Sequence, residues 1–64
     1  MEAIEYKEVN GSVFADAHIY AKIKLDDGTI ATIKAYPVGK KWDYDVNPHE
    51  RKWETVWAFR TLFM

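Results

Sequence analysis

The sequence predicts an α+β domain: a four-stranded antiparallel β-meander with one C-terminal amphipathic helix packed on one face. Three observations carry this. Polar and apolar residues alternate with period two through much of residues 1–46. Turn-forming groups divide that stretch at Asn10-Gly11, Asp26-Asp27-Gly28 and Pro37-Val38-Gly39. After Val46, Asn47-Pro48-His49-Glu50 changes the pattern to that of a helix start.

The second run gives the clearest alternation. Val13, Ala15, Ala17, Ile19, Ala21, Ile23 and Leu25 occupy the odd positions and predict the core face, with mostly polar or aromatic residues between them. Asn10-Gly11 has the composition of a type I′ turn, whose two central residues need positive φ. Such a turn pairs Val9 with Ser12, Tyr6 with Ala15 and Ile4 with Ala17, which places Ile4 and Tyr6 on the core face.

Charge burial decides the parity of the third run, Ile30 to Tyr36. A two-residue Asp27-Gly28 turn would bury Lys34. A three-residue loop with a left-handed Gly28 instead sends Ala31, Ile33 and Ala35 inward and Lys34 to water. The fourth run, Lys40 to Val46, alternates Trp42, Tyr44 and Val46 with Lys41, Asp43 and Asp45. A four-residue loop over Pro37–Lys40 pairs Ala35 with Trp42, and Lys34 with Asp43 in an opposite-charge pair.

Asn47 as N-cap, Pro48 at the first helical position and Glu50 at the third make an Asn version of the capping box. A helical wheel from there collects Trp53, Val56, Trp57, Phe63 and Met64 on one face, with Phe59 at its edge and Ala58 and Leu62 outward. The strand-forming residues Thr55, Val56, Trp57, Phe59 and Thr61 support a rival: a fifth strand closing an SH3-like or OB-like small β-barrel. Packing favours the helix, because a floor of Ala15, Ala17, Ala21, Ala31 and Ala35 calls for bulky aromatic cover.

Sixty-four residues make one domain, 1–64, near the lower end of what folds unaided. No cysteine is present, so disulfides and thiolate metal sites are excluded. Three Trp, four Tyr and three Phe must supply the core, or a homodimer must add to it. Nine Lys and Arg against ten Asp and Glu exclude both a highly basic nucleic-acid arm and a strongly acidic nucleic-acid mimic. No signal peptide or apolar run of roughly 18 residues is present, so a cytoplasmic protein without a membrane span is the expectation.

Site chemistry is sparse. Ser12 is the only serine, and His18 and His49 lie on different elements. Asp16 and His18 share a face and are within reach of a hydrogen bond, but no nucleophile accompanies them. No enzyme, metal or cofactor is implied. The open sheet face is expected to display Phe14, His18, Tyr20 and Tyr36 among Lys22, Lys24, Lys34 and Lys41. Aromatics among lysines suit single-stranded nucleic acid, whose bases stack and whose phosphates follow the ammonium groups. Acidic neighbours Glu5, Asp16, Asp43 and Asp45 dilute that potential.

Val38 at a loop tip, with Phe59, Arg60 and Leu62 on the helix, adds exposed apolar surface with a charged rim, the composition of a protein interface. Arg60 is the anomaly, since it interrupts the helix's expected apolar face. Its stem either packs while its head finds a ring or carboxylate, or the face is open there and Arg60 meets a partner. The first expectation is therefore a protein-binding module, of the kind of inhibitor or adaptor that phages and mobile elements carry. Single-stranded nucleic-acid binding comes second, and a structural homo-oligomeric subunit third.

Overall fold

A computed structural model describes residues 1–13 and 15–64. Strands β1 (Glu2–Val9), β2 (His18–Lys24), β3 (Ile30–Val38) and β4 (Lys41–Asn47) form one antiparallel sheet in the order β1-β2-β3-β4. A 3₁₀ turn, His49–Arg51, leads into helix α1 (Lys52–Phe63). The α+β meander is the architecture, and the terminal segment is a helix rather than a fifth strand.

The β2–β3 connection has the expected three-residue loop. Gly28 N–H donates to the Leu25 carbonyl at 2.9 Å, and Leu25 N–H donates to the Thr29 carbonyl at 2.8 Å. Gly28 takes φ 90°, a conformation that costs glycine little and other residues much. Ala31, Ile33 and Ala35 are fully buried, and Lys34 is exposed. They join Ala21, Ile23, Leu25 and Val46 in the core under Val56, Ala58 and Phe59 of the helix.

Two registers differ from the sequence expectation. β1 pairs Tyr6 with Ala21 and Val9 with His18, six residues further along than an Asn10-Gly11 turn would give. Between the two strands, Ser12 N–H instead donates to the Ala15 carbonyl. Val13 is 92% exposed, and Ala15 and Ala17 are also exposed, so these three leave the core face. Ala15, Asp16 and Ala17 are poor strand formers, whereas His18–Lys24 offers Ile19, Tyr20 and Ile23. Ile4 falls at a β-bulge between Ala3 and Glu5 and is half exposed.

Between β3 and β4 the expected four-residue loop is a two-residue turn. Val38 pairs with Lys41, and Gly39 (φ 61°) takes the position that a type II′ turn reserves for glycine. Ala35 therefore opposes Tyr44, Pro37 opposes Trp42, and Lys34 opposes Asp45 rather than Asp43. Trp42 remains on the helix side of the sheet but is 38% exposed. A 12-residue helix spans about 18 Å and does not cover a molecule 38 Å long.

The capping box does not form. Asn47 ends β4, the Asn47–Pro48 peptide is cis, and no side chain among the described residues caps the helix start. Arg51 organises this junction instead. Its Nη1 donates to Asp27 Oδ2 at 2.7 Å, and its Nε and Nη2 reach the two Glu54 carboxylate oxygens at 2.9 and 3.0 Å. The β2–β3 loop is thereby fastened to the first turn of α1.

Candidate functional site

Helix α1 has two apolar stripes and is rotated from the expected orientation: Val56 and Phe63 of the expected face turn inward with Phe59 from its edge, but Trp53, Trp57 and Met64 stay outside. Thr55, Val56, Ala58 and Phe59 are buried, while Leu62 and Phe63 pack against the core from its margin. Phe59 and Leu62, expected among the partner-binding residues, are thus core groups, and Ala58 faces inward. Trp53, Trp57, Arg60 and Met64 take the opposite side at spacings of four, three and four. Trp53 is 74% exposed and Trp57 57%. Packing Trp53, Trp57 and Met64 inward would have carried Arg60 into the core without a carboxylate partner.

This outer stripe borders a groove of about 510 Å³ between α1 and β4, lined by Tyr44, Trp53, Val56, Trp57, Arg60, Thr61 and Met64. Most of the lining is apolar, with Arg60 as its one charged group. Lys52 Nζ lies 5.2 Å from the centre of a Trp53 ring, a cation–π distance. Glu54, the only carboxylate in α1, is held by Arg51. The helix therefore offers its surroundings two indoles and two cations, Lys52 and Arg60, with its own acid already engaged.

The second surface is the open sheet face. Cross-strand pairing sets Lys7, Tyr20, Lys34 and Asp45 in one row, and Glu5, Lys22, Thr32 and Asn47 in the next. Tyr36 opposes Asp43, and the His18 and Tyr36 rings are 4.9 Å apart. Lys24 extends this face at one end, Val38 and Lys41 at the other. His18, Tyr20, Lys22, Lys24, Lys34, Tyr36, Val38 and Lys41 are thus brought together as expected, whereas Phe14 lies outside the described residues. Five lysines (7, 22, 24, 34 and 41) share the face with Glu2, Glu5, Asp43 and Asp45, so it is nearly neutral, with its acids on the two edge strands, β1 and β4. His18 Nδ1 lies 3.0 Å from the backbone carbonyl of Asp16; the expected side-chain pair is replaced by this local contact.

Among the described residues, no group of three or more His, Asp or Glu side chains is placed to hold a metal ion, and no helix is long and apolar enough to cross a membrane. The chain matches no known protein family, no curated protein and no solved structure. The functional reading therefore rests on the two surfaces themselves. Sequence reasoning missed Trp53, Trp57 and Met64 as surface groups. Their signal was Arg60, because a stripe with a mid-helix guanidinium is a poor candidate for burial when a charge-free stripe is available.

Proposed function

We propose that this chain is a non-enzymatic protein-binding module that engages its partner through the outer face of α1. The observation that carries the reading is the pairing of Trp53 and Trp57, both more than half exposed, along one groove. Tryptophan and arginine are the side chains most enriched at interface hot spots. Two neighbouring indoles are more apolar surface than scattered exposure accounts for. Lys52 and Arg60 define the complement: a segment that places an apolar side chain in the groove and carboxylates on its rim. Small size and an aromatic-rich surface support placing the protein among cytoplasmic inhibitors or adaptors, including those carried by phages and mobile elements.

A second reading is single-stranded nucleic-acid binding on the open sheet face. It is supported by Tyr20, which lies directly between Lys7 and Lys34, an aromatic platform flanked by two cations. The four carboxylates on that face weigh against it.

Tagged protein recovered from its source cell tests both readings. A stoichiometric protein partner is expected with the wild type and with Tyr20→Ala, and is lost with Trp57→Ala and Arg60→Glu. Each truncated anchor weakens binding by roughly 30-fold or more. A partner retained by both helix variants overturns the site, and recovery of nucleic acid lost on Tyr20→Ala promotes the second reading in its place.

A further inference from the structure

The geometry points to a second copy of this chain as the partner of the β1 edge, in a two-fold dimer centred on Tyr6. The inference is independent of the helix groove. Strand β1 is a sheet edge in which no residue is buried. Helix α1 packs over β2, β3 and β4, and Phe63 reaches Tyr6 with ring centroids 4.7 Å apart. A chain of aromatic contacts runs beneath the helix, from Tyr44 to Phe59 to Phe63 to Tyr6, with successive centroids 6.3, 5.3 and 4.7 Å apart. It stops at Tyr6, which is 45% exposed on the helix side of the sheet. The core is therefore unfinished at this edge.

Charge selects the register, and charge together with strand length favours this edge. In an antiparallel pair of β1 strands with Tyr6 opposite its own copy, Glu5 of each chain faces Lys7 of the other, giving two opposite-charge pairs. Centring the pair on residue 5 sets Glu5 against Glu5, and centring it on residue 7 sets Lys7 against Lys7. The other edge is poorer: β4 centred on Tyr44 sets Asp43 against Asp45 twice, centred on either Asp it opposes like charges directly, and centred on Trp42, where Lys41 meets Asp43, it offers only residues 41–43 before the Gly39–Lys40 turn ends the ladder. The bulge between Ala3 and Glu5 limits the ladder to its central pairs, so the dimer is weak and concentration-dependent.

Residues opposed in an antiparallel ladder share a face. The two Tyr6 rings therefore meet on the helix side, each backed by its own Phe63, and the Glu5–Lys7 pairs lie on the open face. Both helices end on the same side of an eight-stranded sheet, with their tryptophan grooves at its outer flanks.

Sedimentation across a concentration series tests the dimer with wild type, Glu5→Lys, Lys7→Glu and the double variant. The wild type dimerises and goes no further. Each single change converts two attractive pairs into repulsive ones and weakens dimerisation by about tenfold. The double change restores it, because the pairs are re-formed with their signs exchanged. Tyr6→Cys, in a chain with no other thiol, becomes a disulfide-linked dimer on mild oxidation. A wild type that stays monomeric at every concentration overturns the proposal, as does growth beyond a dimer. Single variants that dimerise like wild type, or a double variant that fails to recover, also overturn it. Loss of a partner from the helix groove leaves this result untouched, so the two proposals fail separately.

Discussion

Phe59 and Trp57 stand two residues apart on one helix, and they have opposite fates. Phe59 is fully buried in a cluster that includes Ala21, Ala31 and Ala35. Trp57 is more than half exposed beside a groove. Both stripes of α1 are rich in aromatic and aliphatic carbon, so hydrophobicity alone does not choose between them. The inner stripe carries no charge from Thr55 to Phe63, whereas the outer one has Arg60 at its centre. Burying the richer stripe would have cost the desolvation of a guanidinium. The core accepted a smaller aromatic set, leaving the indoles outside, where they are available to a partner.

The largest test of this contrast is stability. Phe59→Ala removes the largest fully buried side chain and should cost about 3–5 kcal/mol, most of what a domain this size holds. Trp57→Ala should cost within about 1 kcal/mol, although it deletes the larger ring. Chemical denaturation of the two variants measures both, and comparable losses would mean that the outer stripe is structural.

A smaller effect, of opposite sign, is expected within the inner stripe. Thr55 is fully buried, and its Oγ1 has no hydrogen-bond partner among the described residues. Thr55→Val keeps the β-branched shape and removes the unsatisfied hydroxyl, so it should stabilise the fold by about 1 kcal/mol. An unchanged or lower denaturation midpoint would contradict that account of the hydroxyl.

The smallest effect concerns how α1 is anchored. The Arg51 guanidinium, followed by the Thr29 N–H, holds the Asp27 carboxyl well below the usual carboxylate range, and hydrogen bonds to Asp27 and then Glu54 raise Arg51. Because the folded-state pKa is depressed, the stabilisation is present above the unfolded value of about 3.9 and is lost as pH falls through the lower folded value. Asp27→Asn should therefore melt below wild type at neutral pH and converge with it in acid. Melting curves that keep a constant separation at every pH would exclude this ion pair as the cause.

How much of this was legible in the sequence varies by element. The three-residue Asp26–Gly28 loop followed from one requirement, that Lys34 stay in water. The same requirement, applied to Arg60, would have identified the outer stripe. The Arg51–Asp27 clamp gave no local signal, since 24 residues separate its partners. The open-face group from His18 to Lys41 survived because both register errors, of six and two residues, were even. An even slip leaves every side chain on its own face.

By itself, the sequence determined what local chemistry and period-two patterning control: four strands, a terminal helix, the parity of β2, β3 and β4, and three alanines of the floor, Ala21, Ala31 and Ala35. The tertiary structure alone decided which residues pair across β1–β2 and β3–β4, where the 12-residue helix leaves the sheet uncovered, and which stripe of α1 turns inward. Those outcomes depend on long-range packing. Alternative registers and helix rotations bury similar amounts of carbon, and the choice falls to distant residues that must fit together without burying an unpaired charge.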